Sequence, residues 1–182
     1  MEDSSRDSNR FQFERFILTQ LLVMALKGVP PFYLPALLAS ENDIKSFSMT
    51  GQRRDLNREK FKSENLLAVL NNPESNANKN LKFLRNAMDV RSELKQFHPC
   101  SQMKCLSKGR SDIVVIKRSK GPDSVFAIHN MTENKINYQL NDNDLPKIID
   151  NDFNTHDFLT SIKYNCKNIS LDPFQVIWLS AL

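Results

Sequence analysis

The side chains best suited to chemistry are concentrated in a polar segment, Ser40 to Lys60, that directly follows an apolar run. The run, Val29 to Ala39, begins at prolines and is too short for another long helix, so it predicts a buried strand. Parallel α/β sheets bind ligands beyond the carboxyl ends of their strands, so we expect a binding site in this segment. Its candidate residues are Glu41, Asp43, Arg53, Arg54, Asp55, Asn57 and Arg58.

A second group of reactive types, His98, Cys100 and Cys105, offers three possible zinc ligands. The spacing of the two cysteines matches no common zinc finger or ribbon, and no fourth ligand is evident. We therefore expect no metal site, and nothing in the sequence calls for a cofactor. The odd number of cysteines and the polar, acidic first ten residues, which do not form a secretory leader, predict reduced thiols in a cytoplasmic protein.

Two histidines could be mistaken for acid or base catalysts. His98 follows a predicted helix end and His129 ends a predicted strand, and neither has a nucleophile near it in sequence. We expect structural roles for both. Trp178 alternates with its neighbours as a core-facing strand residue does, so we expect it to be buried rather than to form a platform for a sugar.

Hydrophobic periodicity divides the chain into a helical part and a strand part. Apolar residues almost all round Phe11 to Lys27 predict a buried helix that ends near Gly28, and two further helices are predicted at Ser63 to Leu70 and Lys79 to Lys95. The remaining chain has the alternation and turn signals of short strands. These are predicted at Ile113–Lys117, Val125–Asn130, Ile136–Leu140, Phe158–Ile162 and Phe174–Leu179, with a turn at Gly121-Pro122.

The predicted fold class is therefore α/β followed by β, with a helix-strand-helix part and then a small antiparallel domain. We assign residues 1–10 to a polar tail, residues 11–96 to the helix-strand-helix part and residues 97–182 to the antiparallel domain. The net charge of +4 is scattered among 21 carboxylates, so we expect no nucleic acid partner. Glu14, Arg15 and Gln20 make the first helix costly in lipid, so we expect no membrane partner.

Separated blocks of the sequence carry a resemblance to a known family. The most specific is Thr50-Gly-Gln-Arg-Arg-Asp-Leu-Asn-Arg58, and the others span residues 28–33, 37–43, 96–99 and 171–179 in the same order. The chain resembles the sucrose-phosphorylase-like sugar phosphorylases of glycoside hydrolase family 13, the α-amylase superfamily. The resemblance implies the end of a (β/α)₈ barrel, with Phe11–Lys27 as its seventh helix and Phe32–Leu37 as its eighth strand, followed by a β domain.

The same resemblance implies that the catalytic carboxylates lie outside this chain. The family carries a nucleophile, an acid/base and a third carboxylate on the fourth, fifth and seventh strands, which would precede Met1. Asp43 and Asp55 are the only nearby candidates for such a catalytic pair in the loop after the strand, and we expect them to cap turns or to pair with Arg54 and Arg58. The chain is thus expected to be a truncated part of an α-glucosyl phosphorylase or transferase that is inactive alone, with no catalytic residue of its own.

Arg54, Asp55 and Arg58 form the candidate rim of a substrate or phosphate site, because the resemblance places this loop at the mouth of the active site. A guanidinium suits phosphate, although Arg54 and Arg58 could instead only hold the loop to the barrel. Pro35 stands where many members have a histidine, which leaves the acceptor sugar open. The expected partners are sugar and phosphate in the parent enzyme, and a missing barrel half or a second copy of the chain. The alternative is a free-standing β module that binds carbohydrate or a partner protein.

Overall fold

A computed structural model describes residues 10–57, 60–107, 109–141 and 153–181. The chain divides into two compact units. The helical unit is Pro31–Asn86, and the β unit is formed by the chain up to Pro30 and from Ala87 onward. The first helix therefore belongs to the same unit as the sheet, and the units do not divide at the boundary after residue 96.

The described residues contain five α-helices and two short 3₁₀ turns, at Arg53–Asn57 and Lys95–Phe97. None of these helices is long and apolar enough to cross a membrane. The α-helices are α1 Gln12–Ala25, α2 Leu34–Leu37, α3 Ile44–Thr50, α4 Ser63–Asn71 and α5 Asn76–Glu93.

Helix α1 confirms the first prediction, with ends slightly inside those expected. Leu18, Leu21 and Met24 recur at helical spacing and are almost fully buried in the β unit. The helix ends at Ala25 because Leu26 is extended, and Gly28 then adopts a positive φ of 116°. Such a φ is strained for any residue with a Cβ, so glycine suits the exit from the helix.

The predicted buried strand at Phe32–Leu37 is wrong. Leu34–Leu37 forms a single helical turn, and no strand is present among the described residues of the helical unit. Pro30, Pro31 and Pro35 each lack the N–H that a strand interior must donate, whereas the fixed φ of Pro35 suits the first turn of a helix. The side chain of Leu34 is also half exposed, so the apolar run is not buried as a whole.

The helical unit has its own internal hydrogen bonds. Asn80 of α5 is fully buried and donates from Nδ2 to the carbonyls of Ala36 and Leu37, at 2.9 and 2.8 Å. These carbonyls end α2 and would otherwise lack partners, so Asn80 fixes α2 to α5. Asn78 similarly donates to the carbonyl of Leu70 near the end of α4.

The β unit contains a four-stranded antiparallel sheet in the order β1-β2-β3-β8 and two smaller antiparallel pairs, β4-β7 and β5-β6. As predicted, the described residues beyond Gly109 contain only antiparallel pairings and no long helix. The strands are β1 Gln102–Cys105, β2 Ile113–Lys120, β3 Asp123–Asn130, β4 Ile136–Tyr138, β5 Asn154–His156, β6 Lys163–Asn165, β7 Ile169–Leu171 and β8 Val176–Ala181.

The hairpin between β2 and β3 turns at Gly121-Pro122, as predicted. Lys120 pairs with Asp123, which leaves a two-residue loop whose first residue, Gly121, has a φ of 64°. A glycine with positive φ followed by a proline is the order that a type II′ turn accepts. This turn sets the register of both long strands.

The predicted strand at Phe158–Ile162 is wrong, because this segment is the turn between β5 and β6. Asp157 accepts hydrogen bonds from the Leu159 amide and the Thr160 hydroxyl, and Ser161 has a φ of 62°. Local side-chain hydrogen bonds of this kind compete with strand pairing. The predicted loop from Asn141 to Asp157 lies mostly outside the described residues, but Asn154–His156 within it is β5.

The sheet buries both of its faces. On one face, Val115, Phe126 and Ile177 belong to the apolar core of the β unit. On the other face, Arg118 contacts the carbonyl end of α1, and Trp178 packs against Phe97 with ring centroids 4.7 Å apart. This second face therefore contains a buried polar side chain, Arg118, as well as apolar ones.

Candidate functional site

The loop that carries the candidate residues is organised around Asp43 in the helical unit. Asp43 caps α3, accepting from the Ser46 amide at 2.8 Å and from the Ser46 hydroxyl at 2.5 Å. Its own amide donates to the Leu56 carbonyl at 2.7 Å, which joins the start of the loop to its end. The hydrogen bonds from Ser46 hold the pKa of Asp43 below its ordinary value.

Asp55 is also used within the loop. It lies half-buried in the 3₁₀ turn and accepts a hydrogen bond from the Thr50 hydroxyl at 2.6 Å. Thr50 itself ends α3, where Gly51 follows in the left-handed conformation and donates to the Phe47 carbonyl. Both carboxylates thus stabilise local structure, and the prediction that they cap turns is confirmed for Asp43.

Arg54 lies on the exposed side of the same 3₁₀ turn. Within the described part of the chain its guanidinium forms neither a hydrogen bond nor an ion pair with Asp43 or Asp55. Arg58 lies outside the described residues, so the grouping of Arg54, Asp55 and Arg58 as one rim stays a prediction. Beside α3 is an open pocket of about 630 Å³ with charged groups of both signs on its walls. Its walls include Glu41, Asp43, Lys45, Ser46 and Lys60.

The two candidate histidines have structural positions. His129 is fully buried in β3, and its Nδ1 lies 3.3 Å from the Val114 carbonyl. Burial lowers the pKa of His129 from 6.5 to about 4, so the ring is neutral at neutral pH. The Nδ1 of His98 accepts a hydrogen bond from the Cys100 amide, which closes a tight turn.

No group of three His, Cys, Asp or Glu side chains within the described ranges could hold a metal ion. Cys100 and Cys105 are exposed, Cys166 is buried, and all three are free thiols. The indole of Trp178 is fully buried, as predicted, so it has no exposed face for a sugar.

Sequence reasoning missed two arginine side chains at the C-terminal end of α1, Arg118, which is buried, and Arg91, which is half-buried. Arg118 donates to the carbonyls of Ala25, Leu26 and His98 at 3.1, 2.7 and 2.8 Å. Arg91 donates to the carbonyls of Met24 and Gly28, both at 2.9 Å. A cation at a helix C-terminus is stabilised by the helix dipole, and these donors satisfy carbonyls that α1 leaves unpaired. The signal available in the sequence was the position of Arg118, on the same strand face as the apolar Ile116.

Asp157 is a further buried polar residue that sequence reasoning missed. Besides the Leu159 amide and the Thr160 hydroxyl, its carboxylate accepts from the Trp178 amide at 2.7 Å. Burial raises the pKa of Asp157, against the opposing effect of these hydrogen bonds. The bond to β8 spans 21 residues of sequence, and no local motif indicates it.

Comparison with known proteins finds relatives named as glucosylglycerate phosphorylases. No family model matches the chain. Glucosylglycerate phosphorylase of Allomeiothermus silvanus is 29% identical over 130 residues, which are 71% of this chain and 23% of that protein. The Escherichia coli glucosylglycerate phosphorylase is 23% identical over 166 residues, or 91% of this chain and 28% of that protein.

The predicted resemblance to sugar phosphorylases is confirmed. The chain spans only about a quarter of the length of these two relatives. Among solved structures, trehalose-6-phosphate hydrolase of Bacillus licheniformis superposes with a TM-score of 0.68 at 15% identity, covering 96% of this chain and 40% of that one. An α-amylase of Anoxybacillus gives 0.64 at 14% identity, covering 92% and 32%. The helices followed by antiparallel sheets therefore form a fold found as part of α-amylase superfamily enzymes.

Proposed function

We propose that this chain is part of an α-glucosyl phosphorylase and supplies the rim of its phosphate or acceptor site through Arg54, Asp55 and Arg58. The similarity to glucosylglycerate phosphorylases supports the enzyme class. The observation that carries the proposal is Arg54, whose side chain is exposed on the 3₁₀ turn and has neither Asp43 nor Asp55 as a partner among the described residues. Phosphate is the natural partner of such a group, because two of its N–H donors match two phosphate oxygens.

In this proposal the chain binds but does not perform the chemical step. Retaining glucosyl transfer requires a nucleophilic carboxylate and a carboxylic acid on either side of one bond, about 5–5.5 Å apart. Asp43 and Asp55 are engaged with Ser46 and Thr50, and their hydrogen-bond donors come from their own loop. The catalytic carboxylates would come from the rest of the enzyme, and the chain alone would be inactive.

We further assign α1 to the seventh helix of a (β/α)₈ barrel. The domain assignment of residues 11–96 to the barrel and 97–182 to the β domain belongs to the same proposal. The superposition on trehalose-6-phosphate hydrolase covers 96% of this chain. This coverage supports the proposal that both parts correspond to one region of such an enzyme. Trp178 is fully buried, so it offers no exposed platform by which a free-standing module could bind carbohydrate.

The test is complementation. The chain is produced alone and as a chimera that replaces the matching 130-residue region of the A. silvanus enzyme, and glucose 1-phosphate release from glucosylglycerate and phosphate is measured. We expect no turnover by the chain alone and activity in the chimera. In the chimera, Arg54→Ala should raise the KM for phosphate by about tenfold, as expected for loss of a charge-assisted hydrogen bond.

The matched control is Arg53→Ala, since Arg53 is an exposed arginine in the same 3₁₀ turn but is not one of the proposed rim residues. It should leave the KM for phosphate unchanged. Turnover by the chain alone that disappears in Asp43→Asn or Asp55→Asn would contradict the proposal, because it would make a loop carboxylate catalytic. If Arg53→Ala and Arg54→Ala raise the KM for phosphate equally, Arg54 contributes only its positive charge and makes no specific contact with phosphate.

A further inference from the structure

The 3₁₀ turn Arg53–Asn57 carries a positive and a negative side chain next to each other. Arg54 is exposed, whereas Asp55 is half-buried in the same turn. A carboxylate beside a phosphate site repels the phosphate unless its charge is bound elsewhere. The role of Asp55 in the proposed rim therefore depends on the partner that its carboxylate has.

Thr50 is that partner, and it is not one of the three rim residues. Its hydroxyl oxygen lies 2.6 Å from Oδ2 of Asp55 and 3.1 Å from the Ser46 carbonyl oxygen. A hydroxyl has one hydrogen to donate, and a hydrogen bond to an ionised carboxylate is shorter and stronger than one to a neutral carbonyl. Thr50 therefore donates to Asp55.

The same hydroxyl also holds the residue that precedes the two arginines. The Gln52 amide donates to Oγ1 of Thr50 at 3.2 Å, and the Asp55 amide donates to the Gln52 carbonyl at 2.9 Å. The contacts of Thr50 therefore lie on both sides of Arg53 and Arg54 along the chain. They close the backbone that presents Arg54 into a short ring of hydrogen bonds.

We infer that Thr50 is a positioning residue for phosphate binding by Arg54, an inference that rests on the proposed function. Its hydroxyl holds the Asp55 carboxylate at the end of α3 and fixes the turn that presents the guanidinium. Asp55 thus serves the rim through Thr50 and makes no contact with phosphate.

The probe is inorganic phosphate, titrated into the full ¹⁵N-labelled chain while the amides of residues 53–57 are followed by NMR. Thr50→Val keeps the branched side chain but removes the hydroxyl, and it should weaken phosphate binding by about fivefold, as expected for loss of one hydrogen bond. Thr50→Ser keeps the hydroxyl and should bind phosphate as the unchanged chain does. The matched control is Ser48→Ala, because the Ser48 hydroxyl donates within α3, to the Ile44 carbonyl at 2.8 Å. It should leave phosphate binding unchanged.

A second background separates positioning from a general loosening of the loop. In Asp55→Asn no carboxylate is released when the Thr50 hydroxyl is removed. Thr50→Val should therefore cost much less affinity in this background than in the unchanged chain. A loss that is the same in both backgrounds, or the same in Thr50→Val and Ser48→Ala, would overturn the inference.

The same titration distinguishes this inference from the proposed function. If Arg54→Ala leaves phosphate binding unchanged, the proposed function fails and the inference fails with it. If Arg54→Ala weakens binding while Thr50→Val does not, only the inference fails, and the role of Arg54 in the rim stands.

Discussion

The fold makes its stability depend on pH through His129. This side chain is fully buried in β3, and burial lowers its pKa from 6.5 to about 4. Between these two pH values the unfolded chain binds a proton at His129 that the folded chain does not bind. The contribution of the neutral His129 ring to stability is therefore complete above about pH 6.5, and it is lost as the pH falls towards 4.

The size of this effect follows from the two pKa values. Each pH unit of difference corresponds to about 1.4 kcal/mol, so the free energy of unfolding should fall by about 3 kcal/mol over the whole interval. This is a large part of the about 5–15 kcal/mol that usually stabilises a domain. The effect comes from loss of solvation on burial, which outweighs the opposing effect of the backbone groups of Val114, Leu21 and Ala127 on the pKa of His129.

The assay is urea unfolding at pH 7.5 and pH 4.5, followed by the fluorescence of Trp178, the single tryptophan of the chain. Trp178 lies on β8 and packs against Phe97, so its emission reports unfolding of the β unit. In His129→Gln the group that titrates is removed while an uncharged hydrogen-bonding side chain remains. The variant should lose about 2–3 kcal/mol less stability between the two pH values than the unchanged chain does.

The control is His156→Gln, because His156 is an exposed histidine on β5 in the same unit. It should lose stability with pH as the unchanged chain does, since the carboxylates contribute equally to all three proteins. If the unchanged chain and His129→Gln lose the same free energy on acidification, the argument that burial keeps His129 neutral is refuted.

Three other changes test interactions in the two units. Arg118→Met removes the buried guanidinium that donates to the carbonyls of Ala25, Leu26 and His98, and it should lower the free energy of unfolding by about 3 kcal/mol in the same assay. Arg85→Met, at an exposed position of α5, should have little effect. Asp157→Ala should destabilise the β unit by about 2–4 kcal/mol because the buried Trp178 amide loses its acceptor. Burial raises the pKa of Asp157 in the folded chain above its value in the unfolded chain. The contribution of this raised pKa to stability is therefore complete below the unfolded pKa and decreases as the pH rises through the folded pKa. Asp157→Asn keeps an acceptor oxygen but does not titrate, so it should remove this decrease of stability with pH. Asp43→Ala removes the cap of α3 and should speed hydrogen exchange of the Ser46 amide, whereas Asp43→Asn, which keeps the acceptor, should change it much less.

The elements that could be predicted from the sequence are those set by local periodicity. Helix α1 was predicted because Leu18, Leu21 and Met24 recur at helical spacing, and that pattern requires a buried face whatever covers it. The β2-β3 hairpin was predicted because Gly121-Pro122 separates two alternating segments. In both cases the signal lies within one element.

The two wrong strands show where local signals were insufficient. The run from Val29 to Ala39 is apolar but short, and such a run does not distinguish a strand from a helical turn. The prolines of this run disfavour a strand, because a strand interior needs the N–H groups that prolines lack. At Phe158–Ile162 the apolar ends suggested a strand, but the carboxylate of Asp157 organises a turn instead.

The buried polar contacts could not be predicted, because they join distant parts of the sequence. Arg118 contacts the Leu26 carbonyl across 92 residues, and a pattern read within one strand does not show that partner. The candidate site was only partly predictable for a related reason. The loop composition indicated binding, but only the structure shows that Asp43 and Asp55 are engaged with hydroxyl and amide donors of their own loop while Arg54 is exposed.

That difference between the acidic and basic side chains of the loop leads to a last prediction. Each carboxylate has a donor within three to five residues, so neither needs Arg54 as a counter-charge. The guanidinium of Arg54 is exposed to solvent, and its backbone is held by α3 and the 3₁₀ turn. We expect an exposed cation of this kind to pair with phosphate weakly and in a salt-dependent manner. We therefore expect the loop to bind phosphate in the isolated chain.

Titration of the ¹⁵N-labelled chain with inorganic phosphate should shift the amides of residues 53–57, and added sodium chloride should weaken the effect. Arg54→Ala should abolish most of the shift and Arg53→Ala should not. Because phosphorolysis needs two carboxylates that this loop does not supply, the same sample should bind phosphate and release no glucose 1-phosphate. Shifts that are identical in the two arginine variants would show that phosphate responds to the general positive charge of the chain, and Arg54 would then have no specific role in the rim.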